Sequence, residues 1–167
     1  HWARAWSWYP FHFRANDFSA DGQSWAMQWS IRAPRISGSL SLLPLLTQTV
    51  NLNGIRTANT DLRFRPLVLT SPAAAQFKQY FPDIQGRDPN AEGGPVPTQS
   101  PGWRITYDFA SISGENHVWL GATKLMLTGE ASGVMSKQNR NGPLTISDGR
   151  IDASLGLFEL NGQQVAH

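Results

Sequence analysis

In Trp25-Ala26-Met27-Gln28-Trp29-Ser30-Ile31-Arg32 the odd positions are all large and apolar, and the even ones are small or polar. A β-strand sends successive side chains to opposite faces, so this period of two describes a strand with one apolar face. The pattern recurs. Phe11, Phe13 and Ala15 alternate with His12, Arg14 and Asn16. Leu62 and Phe64 alternate with Asp61, Arg63 and Arg65, and Ile105, Tyr107 and Phe109 with Arg104, Thr106 and Asp108. Segments 50–55, 118–120, 124–128, 144–146 and 151–160 are further strand candidates. One apolar and one polar face per strand favours antiparallel pairing over a parallel sheet buried on both sides.

Turn signals divide these runs into short strands. Asp21-Gly22, Asn53-Gly54, Ser113-Gly114, Asn141-Gly142-Pro143, Asp148-Gly149 and Asn161-Gly162 all carry residues that tolerate positive φ. Asp148-Gly149, between Ile146 and Ile151, gives the clearest hairpin prediction. Two short helices are expected. One has Ser71 as N-cap and Pro72 as first residue, runs through 73–81 and stops before Pro82. The other spans 41–46, with Pro44 tolerated in the first turn. From 83 to 102 the composition shifts to Gly and Pro with few large apolar residues, which predicts a flexible loop between two β-rich halves, 1–70 and 103–167.

Composition narrows the function classes. The chain has 167 residues, enough for one domain. It has 15 Gly and 11 Pro, which suits a turn-rich β fold better than a helical bundle. Charged residues are 16%, too few for a disordered chain. The net charge of +2 comes without any Lys/Arg run, so nucleic acid is not an expected partner. With no cysteine, disulfides, thiolate nucleophiles and Cys-ligated metals are excluded. The chain opens at His1 rather than Met, and membrane association is expected through a segment preceding it.

Catalytic motifs are absent or better explained otherwise. His1, His12, His117 and His167 share no metal-ligand spacing, so no metal or cofactor is expected. Asp17 with Asp21, and Asp148 with Asp152, could form a glycosidase-like carboxylate pair. Both pairs flank turn signals, where Asp caps backbone N–H groups. There is no Gly-x-Ser-x-Gly nucleophile elbow. Seven tryptophans remain, five of them at Trp2, Trp6, Trp8, Trp25 and Trp29. Strand packing, lipid contact and sugar stacking are the three readings. Met27 and Ile31 in the row with Trp25 and Trp29 make a continuous greasy surface rather than an isolated flat platform. One-faced strands need a cover. A second sheet would make a sandwich, and a curved sheet would make a groove for acyl chains.

Two phrases carry a resemblance. Residues 36–46, Ile-Ser-Gly-Ser-Leu-Ser-Leu-Leu-Pro-Leu-Leu, are followed by Val50-Asn51-Leu52-Asn53-Gly54-Ile55. Later comes 142–152, Gly-Pro-Leu-Thr-Ile-Ser-Asp-Gly-Arg-Ile-Asp. Together they resemble the small-helix-then-strand phrase and the repeated strands of AsmA-like envelope proteins, TamB relatives included, over 25–70 and 115–162. The 83–102 insertion and the N-terminal tryptophans depart from that pattern. The resemblance implies a bacterial periplasmic protein anchored to the inner membrane. It also implies a curved β groove that carries phospholipid between membranes or aids outer-membrane assembly, with no catalytic residues.

The expected fold is therefore all-β, mainly antiparallel, with one or two short helices, as a groove-forming curved sheet or a sandwich. A single domain, 1–167, is expected. The expected function is non-enzymatic lipid binding or transport, with acyl chains as partner. The alternatives are an assembly module packing on other envelope proteins, and a carbohydrate-binding or hydrolytic domain using the tryptophans. Trp25, Met27, Trp29, Ile31, Leu125, Leu127, Leu155 and Leu157 are the candidate groove lining.

Overall fold

The computed structural model describes residues 4–6, 11–68, 72–95, 104–138 and 144–166. The fold is all-β, with one large mixed sheet. Its strands are β1 (Arg4–Trp6), β2 (His12–Gln23), β3 (Met27–Ser41), β4 (Thr49–Ala58), β5 (Asp61–Pro66), β6 (Arg104–Leu120), β7 (Thr123–Gln138), β8 (Leu144–Leu160) and β9 (Gln163–Ala166). Two 3-10 segments, Leu43–Thr47 and Pro72–Tyr80, stand where the sequence predicts helices. The cap expected at Ser71 lies outside the described residues.

The spatial order is β1-β2-β3-β4-β6-β7-β8-β9, and β5 pairs with β3 and β6. β4 and β5 thus act as one interrupted strand beside β3. All neighbours are antiparallel except that β4 and β5 run parallel to β6. That parallel seam joins the two β-rich halves into one sheet. It is the parallel exception in a sheet that is mainly antiparallel, as expected. Long strands replace the expected short ones: β6 and β8 each run 17 residues.

The reason lies in the glycine dipeptides. Asn161-Gly162 is a true two-residue turn, with φ 52° and 75°. Asp148-Gly149 is not a hairpin. It sits inside β8 where the register with β7 shifts, as a β-bulge with Asp148 at φ 52°. Asn53-Gly54 marks a register shift between β3 and β4 in the same way, and Asp21-Gly22 and Ser113-Gly114 lie within β2 and β6. A residue that accepts positive φ can end a strand or bend it, and local sequence does not distinguish the two. Asn141-Gly142-Pro143 lies outside the described residues.

Cross-strand pairing organises the apolar residues into rows. One row runs Ala20–Ile31–Leu62–Val118–Leu125–Phe158 across β2, β3, β5, β6, β7 and β8. A second runs Ala15–Ile36–Thr57–Ile112–Ala131–Ile151. In β6 and β7 the rows lie an even number of residues apart with no register shift between them, so both occupy one face. In β2, β3 and β4–β5 the separation is odd. The parity changes at Asp17 (φ 50°), at Pro34 opposite it, and at Asn59 (φ 53°). These residues form a crease across the sheet. Asn116 stitches it: its Oδ1 accepts from Thr60 N at 3.0 Å and Thr60 Oγ1 at 2.7 Å. In β8 the extra residue is the bulge at Gly156.

The described residues contain no second sheet, so the sandwich alternative does not apply. Among the described residues the buried apolar side chains are Ala15, Ala33, Ile55, Leu67, Pro82, Ile84 and Ala110, far too few for a two-layer core. The accessible surface is 11121 Å². A compact monomer of this mass would expose about 8200 Å².

Candidate functional site

The two faces of the sheet are treated differently. Around β3 and β5 the polar face is covered by residues 82–95, the first part of the segment expected to be flexible. That expectation fails here because the segment is tied down. Arg65 is 4% exposed and Gln28 0%. Gln28 Oε1 accepts from Arg65 Nε at 2.8 Å and Nη2 at 2.5 Å. Arg65 also donates to the carbonyls of Pro82 and Arg87, each at 3.3 Å, and Gln28 Nε2 donates to the Asp88 carbonyl at 3.2 Å. Arg87 closes the strap on Asp21 at 2.5 Å. Ile84 and Pro82 fill the space beneath it. Beside the strap, neighbouring polar-face side chains engage one another. Arg63 forks onto Asp61, and this hydrogen bond raises its pKa despite partial burial. The Trp119 ring lies between Arg63 at 5.6 Å and Lys124 at 5.2 Å.

The apolar face has no such cover among the described residues. Met27, Trp29 and Ile31 occupy alternate positions of β3, as expected, with Phe64 opposite Trp29 and Leu62 opposite Ile31. Trp29 lies over Gly22 of β2, where a Cβ would run into the indole ring. Leu125 and Leu127 continue the surface on β7, and Leu155 faces Leu127 from β8. Met27 is 37% exposed, Leu120 50% and Leu155 45%, and the rest are half-buried by their neighbours in the sheet. Further along, burial pushes the Tyr107 hydroxyl pKa up.

Two expected lining residues stand outside this strand alternation. Leu157 pairs with Met126, on the polar-face parity, because the Gly156 bulge puts two residues opposite one. A Cβ on Gly156 would meet Met126, which confirms the side. Trp25 precedes β3, in the turn, where its carbonyl accepts from Gly94 N at 3.0 Å. Trp2 and Trp8, and the side chain of Trp6, lie outside the described residues. Leu62, Phe64, Val118, Leu120 and Phe158 also belong to the face, beyond the lining that the sequence predicts. Their alternation is visible in the sequence, but their junction with Trp29 and Leu125 depends on the parallel seam.

The carboxylates expected as a catalytic alternative do not form a site. Asp17 is a crease residue and Asp21 is engaged by Arg87. Asp148 occupies a bulge, and Asp152 stands opposite Glu130. Among the described residues no group of three His, Asp or Glu side chains could hold a metal ion. No helix among them is long and apolar enough to cross a membrane. No family model, curated protein or solved structure matches the chain.

Proposed function

We propose that the chain is a non-catalytic lipid-binding module, and that acyl chains lie on the open apolar face. The observation that carries this is the contrast between the faces. The polar face is strapped and ion-paired, while apolar rows spanning six strands have no protein cover among the described residues. A contiguous apolar surface is the kind of feature that binding sites present. Methylenes suit it, since each one removed from water contributes ~0.8 kcal/mol and no polar partner is needed. The resemblance to AsmA-like envelope proteins supports the same reading. It extends the proposal to a periplasmic, inner-membrane-anchored setting and to transport between membranes.

The test is native mass spectrometry and solvent extraction of the purified chain, before and after incubation with phospholipid vesicles. Bound phospholipid is expected, with uptake greatly reduced in Ile31→Asp and Leu125→Asp variants that retain β-sheet circular dichroism. A wild-type chain that carries no lipid and takes up none would overturn the proposal.

A further inference from the structure

Among the described residues, β8 is a long strand paired along its full length on one side and only at its end on the other. β7 covers its inner edge throughout, but β9 reaches only Phe158, Glu159 and Leu160 of the outer edge. From 144 to 157 no described residue pairs with that outer edge. The stretch contains no Pro and no Lys, and what guards it is the pair of bulges at Asp148-Gly149 and Gly156. Ile146 is 61% exposed and Ile151 76%. The opposite end of the sheet is better protected, since β1 pairs with 14–16 and the strap holds Asp21.

We infer that this edge pairs antiparallel with the same edge of a second copy, about a two-fold axis at Ile151. Three observations select that partner and register. First, Ile151 lies near the middle of the free stretch 144–157 and between its two bulges, so pairing about it extends in both directions. Second, the charges are self-complementary. The register sets Arg150 of each copy opposite Asp152 of the other, whereas centring on Arg150 or on Asp152 would oppose like charges. Third, Asp152 faces Glu130 within its own chain, a like-charge pair. Arg150 of the second copy would offset it. A two-fold axis perpendicular to the sheet keeps corresponding faces on the same side. The row ending Ile112–Ala131–Ile151 would then continue into its counterpart. This inference stands independently of what the apolar face binds.

The 167-residue chain has no cysteine, so Ile151→Cys introduces a single thiol. Directly opposed antiparallel residues have Cα atoms about 4.5–5.5 Å apart, within disulfide reach. Light scattering after size exclusion should show a dimer. Mild oxidation should cross-link Ile151→Cys, while Thr145→Cys stays uncross-linked because its counterpart is some 40 Å away. Arg150→Asp should weaken dimerisation by about tenfold or more, and the swap Arg150→Asp with Asp152→Arg should restore it. A monomer at all concentrations, a dimer that cross-links through Thr145→Cys rather than Ile151→Cys, or a swap that fails to restore a folded dimer would overturn the inference.

Discussion

Arg65 is the buried cation that joins strap to sheet. Its guanidinium is buried against Gln28 Oε1 and two backbone carbonyls, and its one carboxylate neighbour, Asp83, is 3.9 Å away with a largely exposed side chain. Hydrogen bonds to a charged group contribute ~1.5–3 kcal/mol each, and truncating one partner leaves the other unsatisfied. Arg65→Met is therefore expected to lower stability by about 3 kcal/mol in urea unfolding and to make residues 82–95 sensitive to limited proteolysis. Unchanged stability and proteolysis would contradict this role. The sequence gives little sign of it. Arg65 reads there as the wet face of a strand, and its face is indeed the polar one. What buries it is a Gly/Pro-rich segment whose docking depends on long-range contacts that local pattern does not encode. Trp29 is the opposite case, since its alternation alone assigns it to the apolar face and Gly22 then accommodates its ring.

At the scale of the element, alternation was readable and continuity was not. The runs 27–31, 62–64 and 124–128 lie in β3, β5 and β7 with the expected faces. Bulges and crease residues look like turns in sequence, because Asn, Asp and Gly supply positive φ in both settings. Hence β8 reads as two strands and Leu157 reads as a neighbour of Leu155. The Gly156 bulge makes a direct prediction. Leu155→Gln should weaken phospholipid uptake severalfold, while Leu157→Gln, on the Met126 side, should leave it within twofold of wild type. Equal losses in a vesicle-to-protein transfer assay would mean that the bulge does not sort these side chains as described.

For the whole molecule, the arrangement of layers was the part least legible in the sequence. One-faced strands specify a sheet with a greasy side, and they are silent on what covers it. The parallel pairing of β4 and β5 with β6 decides the outcome, because it merges two halves into one broad sheet instead of stacking them. The strap then covers polar side chains and leaves the apolar rows open. The central claim is that acyl chains occupy that open face. A phospholipid with a photoactivatable group at the end of an acyl chain, bound to the chain, irradiated and mapped by peptide mass spectrometry, tests it most directly. The account predicts adducts on Trp29, Ile31, Leu62, Val118, Leu125 and Leu127. Adducts confined to the polar face, at Arg63, Trp119, Lys124 or Glu159, or no adducts at all, would contradict it.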